Sequence, residues 1–304
     1  MKILITGGTG LLGRSLCNLL RQAGHEPVVL SRNAVSARTR LASGIEVIQW
    51  QPGQERIPLK ALDGVGAVIN LAGENIGAGR WTAPRKEAIL SSRVDTTRAL
   101  VEAFRGLSIR PEVLISGSAV GYYGPHGDEE LTETAPPGTD FLARVCQAWE
   151  EEAYKATKLG IRVVTLRTGI VLSHEGGSLP RMVLPFRWYL GGPLGSGKQW
   201  LSWVHLDDAL EIIRFALEQP TLEGPINVTA PHPVRQMEFA SALGQVMKRP
   251  SWLRVPAIIL KAGLGEMAEM LLTGQRVIPA RLIDAGYRFR YSSLLDALKD
   301  LLAR

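Results

Sequence analysis

Residues 2–13, Lys2-Ile3-Leu4-Ile5-Thr6-Gly7-Gly8-Thr9-Gly10-Leu11-Leu12-Gly13, decide the fold. An apolar run rich in β-branched residues stops at a glycine cluster, and Leu12, Leu16, Leu19 and Leu20 follow at helical spacing. Strand, tight glycine turn and helix in that order form the first unit of a dinucleotide-binding α/β fold. A diphosphate rests on the free N–H groups of a helix N-terminus only where no side chain blocks its approach. Gly7 turns the chain, Gly10 lets the backbone come close, and Gly13 lets the helix pack on the strand. The cofactor contacts expected on this turn are Gly7, Thr9, Gly10, Leu11 and Leu12.

The second strand, Glu26–Leu30, ends at Ser31-Arg32-Asn33. A dinucleotide without a 2′-phosphate is read by an acid at this tip, which accepts from the ribose hydroxyls. Here there is no acid, and Arg32 stands in its place. A carboxylate repels a 2′-phosphate, whereas a guanidinium pairs with it in a bidentate fork. Ser31 and Arg32 therefore predict NADP (NADPH) as the cofactor in preference to NAD; a solvated loop charge is the competing role for Arg32.

Three further segments carry a family likeness: Asn70-Leu71-Ala72-Gly73-Glu74, Ser116 to Gly124 (Ser-Gly-Ser-Ala-Val-Gly-Tyr-Tyr-Gly), and Gly191 to Gly197. With the Thr-Gly-x-x-Gly-x-x-Gly opening, the chain resembles the extended short-chain dehydrogenase/reductases of the NAD-dependent epimerase/dehydratase superfamily. Within these it is most similar to the YfcH-like epimerase family proteins, nearly end to end. The resemblance implies a doubly wound parallel sheet (Rossmann) over residues 1–172 and 203–232. A smaller, mostly helical substrate lobe is expected over 173–202 and 233–304, with a family-specific cap from about 250. It also places Leu71, Ala72 and Gly73 beside the adenosine and ribose, with Glu74, Arg80 and Arg167 as further candidate contacts. The segment Thr168–Leu172 would line the nicotinamide end.

In such enzymes a serine at the position of Ser118 orients the substrate carbonyl or hydroxyl, and a Tyr-x-x-x-Lys pair on the next helix moves the proton. Aligned by the trailing Glu150, that pair is replaced by Leu142 and Cys146, and neither can do proton work. Tyr154-Lys155-Ala156-Thr157-Lys158 matches the pattern but lies twelve residues later, roughly 18 Å further along a continuous helix. It reads as a surface coincidence. Tyr122 and Tyr123, on the loop after Ser118, are the remaining acids; Tyr122 is the candidate proton donor, and packing of the loop is the competing role for both.

Composition narrows the classes. The chain has 304 residues, 45% of them hydrophobic, a net charge of +6 and two cysteines, Cys17 and Cys146. Its bases are scattered among acids, with no aromatic–basic module, so nucleic acid is not an expected partner. Nothing resembles a signal segment or a membrane span, and cysteine usage fits a reducing compartment, so a cytoplasmic protein is expected. The loop Gly192–Lys198 imitates a P-loop, but Gln199 and a strand follow it, which removes the nucleotide-triphosphatase reading. Arg187, Lys198 and Trp203 are candidate substrate contacts. His205-Leu206-Asp207-Asp208 lacks a second histidine at ligand spacing, so no metal is expected; an aspartate capping the next helix is the simpler reading.

Helices are expected over 84–105, from 141, over 179–190, 209–217, 236–247, 257–272 and 292–302. The apolar run Ile258, Ile259, Leu260, Leu264, Met267, Met270, Leu271 and Leu272 reads as core first and as a homodimer contact second. Two functions stand: an NADP(H)-dependent oxidoreductase or epimerase acting on a small carbonyl or hydroxyl molecule, nucleotide-sugar-like ones included, and a non-catalytic NADP(H)-binding sensor or scaffold.

Overall fold

In the computed structural model, which describes residues 1–303, seven strands form one parallel sheet. They are β1 (Lys2–Thr6), β2 (Glu26–Ser31), β3 (Glu46–Gln49), β4 (Val65–Asn70), β5 (Val113–Ala119), β6 (Arg162–Thr168) and β7 (Gly224–Val228). Their order across the sheet is β7-β6-β5-β4-β1-β2-β3. The winding direction reverses between β1 and β4, and in an open α/β sheet the crevice outside the strand ends at that reversal is where ligands bind. The register lines up Leu30, Thr6, Asn70, Ser116 and Thr165 across five strands, and puts Ser118 beside Arg167 two residues further along β5 and β6.

Alternation along the strands builds two interiors. Ile3, Ile5, Val29, Ile69, Ile115 and Val164 face α1 (Leu11–Gln22), which turns Leu16, Cys17 and Leu20 inward. Leu4, Val28, Val68, Leu114 and Val163 face the opposite way, towards α2 (Ala83–Arg105) and α3 (Phe141–Tyr154). Thr82 caps α2, and the Asp140 carboxylate caps α3 by accepting from the Ala143 N–H at 2.8 Å. A third apolar cluster joins the helix Leu179–Arg187 to α5 (Gln236–Met247) and α7 (Leu294–Ala303); α4 (Leu206–Glu218) packs beside α1. No helix among the described residues is long and apolar enough to cross a membrane.

Four local expectations differ. The helix expected over 257–272 breaks at Gly265 (φ +62°) into α6 (Ala257–Leu264), a short 3-10 turn and a last turn over Glu269–Leu272. Its apolar run is not core: Ile258 is 77% exposed and no residue of α6 is buried. Its last turn is tied down by Lys261 on Glu269 and by Arg80 on the carbonyls of Ala262 and Gly263, while Ile258 and Ile259 face solvent. The strand expected near 200–204 is interrupted at Ser202, whose hydroxyl donates to the Gln275 carbonyl and accepts from the Val277 N–H. The cap of α4 is His205, not an aspartate: its Nδ1 accepts from the Asp207 N–H at 3.0 Å. The Asp208 carboxylate is turned instead to the N–H groups of Arg290 and Tyr291.

Candidate functional site

The crevice begins at the β1–α1 turn. Gly7 has φ +70°, and a Cβ there would sit 2.6 Å from the Leu71 carbonyl carbon. A Cβ on Gly13 would fall 2.3 Å from the Gly7 oxygen, so only glycine lets α1 start this close to the strand. Gly10 caps the helix without a side-chain hydrogen bond, and the first turn holds no acid. The leading N–H groups of α1 are left facing outward with the positive end of the helix dipole behind them. This is a cradle for a diphosphate, and the glycines are what keep it open.

At the tip of β2, Arg32 projects into solvent, its side chain 73% exposed and 4.0 Å from the Glu74 carboxylate. Ser31 turns its hydroxyl back to the Asn33 carbonyl. At the tip of β4 the Leu71 N–H bonds to the Thr6 carbonyl and the Ala72 N–H to the Thr6 hydroxyl. Thr6 in turn donates to Asn70 at 2.6 Å, and Asn70 donates to Thr97 of α2 at 2.8 Å. This buried ladder holds Leu71, Ala72 and Gly73 along the mouth of the crevice. Glu74 is paired with Arg85 at 2.9 Å, while Arg93 donates to the Glu74 carbonyl at 3.1 Å. Two guanidinium groups therefore flank the Glu74 carboxylate and a third lies on its backbone carbonyl, a net positive site for a polyanion. Arg80 is not part of it; its guanidinium is bound to the end of α6.

Ser118 lies at the end of β5, buried, with its hydroxyl donated to Glu150 Oε1 of α3 at 2.7 Å. Arg167 grips the same carboxylate with Nε and Nη2, both at 2.9 Å. Its Nη1 donates to the Tyr123 hydroxyl and to the Glu133 carbonyl, both at 3.1 Å. Arg167, expected among the cofactor contacts, is thus committed to the protein, and its place is to fix Glu150. Burial works against its charge, and the Glu150 contacts outweigh that and raise its pKa. Tyr122 lays its ring on the Arg167 guanidinium, 3.4 Å from the ring centre. Tyr123 is buried; it donates to Asn227 at 2.6 Å, and burial pushes its pKa up to about 12. Of the two tyrosines, Tyr122 alone keeps some exposure.

Leu142 and Cys146 stand on α3 one turn apart, Cys146 close enough to Ser118 to hydrogen-bond with it. Burial pushes the Cys146 thiol up to about 12, so it carries no charge at neutral pH. Tyr154 is not at the surface: it turns inward, and its hydroxyl meets Thr165 at 3.0 Å. Lys158 points outward on the 3-10 turn that follows α3, so the two do not form a pair. Trp203 is fully buried with its N–H on the His232 carbonyl, so it belongs to the core; Arg187 and Lys198 are exposed.

Glu150 and Arg93 are what sequence reasoning left unused. Glu150 is visible as the glutamate trailing the empty pair, but its contact to Arg167 is created only by packing α3 on β5 and β6. Nothing in the local sequence marks Arg93 among the other charges of α2.

A family model described as the NAD dependent epimerase/dehydratase family matches residues 3–229, and a domain of unknown function, DUF1731, matches residues 255–301. Over 304 residues the chain is 41% identical to the epimerase family protein YfhF of Bacillus subtilis, covering 100% of this chain and 98% of that one. It is also 41% identical to the chloroplastic epimerase family protein SDR39U1 homolog of Arabidopsis thaliana, covering 99% and 87%. Among solved structures it is similar to the human epimerase family protein SDR39U1 (isoform 2) with NADPH, at 34% identity and TM-score 0.89 over 100% of both chains. The UDP-glucuronic acid 4-epimerase of Bacillus cereus, in complex with UDP-glucuronic acid and NAD, shares the fold alone: 18% identity, TM-score 0.81, covering 100% and 98%.

Proposed function

Because the chain belongs to the NAD-dependent epimerase/dehydratase family, we propose that it is an NADP(H)-dependent oxidoreductase or epimerase of the extended short-chain dehydrogenase type. Its substrate is a small carbonyl or hydroxyl compound, whose hydroxyl form is held at Ser118. The observation that carries the reading is the uncapped, acid-free N-terminus of α1 opening beside Arg32, with no carboxylate at the end of β2. The relative whose structure contains NADPH supports the phosphorylated form of the cofactor.

The cofactor, when bound, would supply a hydride as NADPH or accept one as NADP. The chain supplies position and proton control. Gly7, Thr9, Gly10, Leu11 and Leu12 take the diphosphate, Ser31 and Arg32 the 2′-phosphate, and Leu71, Ala72, Gly73 and Glu74 the adenosine side. Ser118 has given its hydrogen to Glu150, so it offers lone pairs outward and accepts from a substrate hydroxyl. Tyr122, held flat on Arg167, moves the proton. The test is turnover with NADPH or NADP against a carbonyl and alcohol panel, with Ser118→Ala abolishing it.

A second reading rests on one observation. Leu142 and Cys146 occupy the positions of the usual acid/base pair, and the buried thiol does not ionise near neutral pH. This favours an NADP(H)-binding sensor or scaffold. Cofactor binding at micromolar concentration with no turnover across the panel decides for it.

A further inference from the structure

Arg93 is a guanidinium in the wall of the crevice with no carboxylate within ion-pair distance among the described residues. Its Nη1 donates to the Ile89 carbonyl at 2.9 Å and its Nη2 to the Glu74 carbonyl at 3.1 Å. These two bonds leave three of its five N–H groups without a protein acceptor. The Glu74 carboxylate is already occupied by Arg85. Gly73 makes the placement possible: a Cβ there would meet the Arg93 guanidinium carbon at 2.9 Å. On its other side the group lies over the Trp149 ring, 5.2 Å from the centre, and the Trp149 Nε1–H is itself buried with no hydrogen-bond partner.

Arg93 is half-buried, and a cation withdrawn that far from water with N–H groups the protein leaves unmatched is poised for an external acceptor. Burial lowers the Arg93 pKa, and Glu74 acts against that. The Trp149 ring beneath Arg93 is also the neighbour that a Cβ on Gly117 would meet, at 2.5 Å, which puts the guanidinium between the β4 tip and Ser118. Arg32 approaches Glu74 from the tip of β2 and through the carboxylate, whereas Arg93 holds the backbone carbonyl. We infer that Arg93 binds the nicotinamide-ribose half of the dinucleotide, its remaining N–H groups bonding the ribose hydroxyls and neighbouring phosphate oxygen, and supplies there the fixed positive charge that Cys146 cannot. This rests on the proposal that the crevice takes NADP(H), and it separates two arginines by the halves of one ligand.

The experiment is equilibrium titration of the purified full chain, wild type, Arg93→Gln, Arg93→Lys and Arg32→Ala, with NADPH, NADH and adenosine 2′,5′-bisphosphate. That last compound is the adenosine half alone, and its binding also reports that a variant is folded. Arg93→Gln is expected to weaken NADPH and NADH by the same factor, about 10- to 100-fold, as loss of a charge-assisted hydrogen bond does, and to leave the bisphosphate within about twofold. Arg93→Lys is expected to fall between. Arg32→Ala is expected to weaken NADPH and the bisphosphate together and to spare NADH. Equal NADPH binding by wild type and both Arg93 variants overturns the assignment while leaving cofactor binding intact. So does a loss of bisphosphate binding as large as the loss of NADPH binding. Wild-type protein that binds none of the three overturns the function and this inference together.

Discussion

Ser118 donates its hydroxyl hydrogen to Glu150 at 2.7 Å, beneath the point where the substrate is proposed to sit. The direction of that bond has a consequence for chemistry. A serine whose hydrogen is committed to a carboxylate locked by Arg167 presents acceptor lone pairs to the crevice. Ser118→Ala removes the acceptor but no packing of consequence. Its turnover is expected to fall at least about 100-fold, with NADPH affinity within about twofold, as steady-state kinetics and fluorescence titration read out.

Glu150→Gln behaves differently. It leaves the buried Arg167 without a countercharge, and breaking one side of a buried ion pair costs about 3–5 kcal/mol. Urea denaturation is expected to show a loss of this size, with the dependence on urea concentration unchanged.

At the glycine turn, Gly13→Ala places a methyl group 2.3 Å from the Gly7 oxygen, so the start of α1 must retreat from the strand. Overpacking of this kind costs about 1–3 kcal/mol, and the diphosphate cradle is displaced with it. NADPH binding is expected to weaken at least about tenfold. Gly106→Ala is the control: its φ is −86° and the nearest atom to an added Cβ is 3.8 Å away, so both stability and binding are expected to stay near wild type.

The thiols predict an alkaline limit. Burial raises Cys17 and Cys146 from 9.0 to about 12. Both are acids whose folded pKa lies above the unfolded value, so their contribution is fully present below pH 9. Between pH 9 and 12 the unfolded chain releases protons that the native state keeps. Stability therefore falls with rising pH, at up to about 1.4 kcal/mol per pH unit for each thiol. A Cys17→Ala, Cys146→Ala double variant is expected to show a shallower alkaline fall in melting temperature. In the native protein at pH 8 both thiols are expected to resist iodoacetamide, and to react on unfolding.

Local patterns in the chain were enough for the parts governed by local chemistry. The β1–α1 turn is written in three glycines; the helix from Phe141 begins, and Gln236–Met247 begins and ends, where the sequence pattern puts them. The absence of Tyr and Lys at Leu142 and Cys146 is likewise a fact of sequence. What was not legible depends on contacts between distant segments. His205 takes the cap of α4 because the Asp208 carboxylate is drawn to Arg290 and Tyr291, some eighty residues on. Arg167 looks like a free cation at the end of a strand until α3 brings Glu150 onto it. The apolar run at Ile258 and Ile259 has the composition of a core, but which elements cover a helix is decided by the fold as a whole.

The most direct measurement is calorimetric titration of the purified protein with NADPH and NADH side by side at fixed ionic strength. A cradle of bare amides beside Arg32 predicts that both bind and that NADPH binds at least about tenfold tighter, the worth of one charge-assisted contact to the 2′-phosphate. Equal affinities, a preference for NADH, or no binding of either would contradict it.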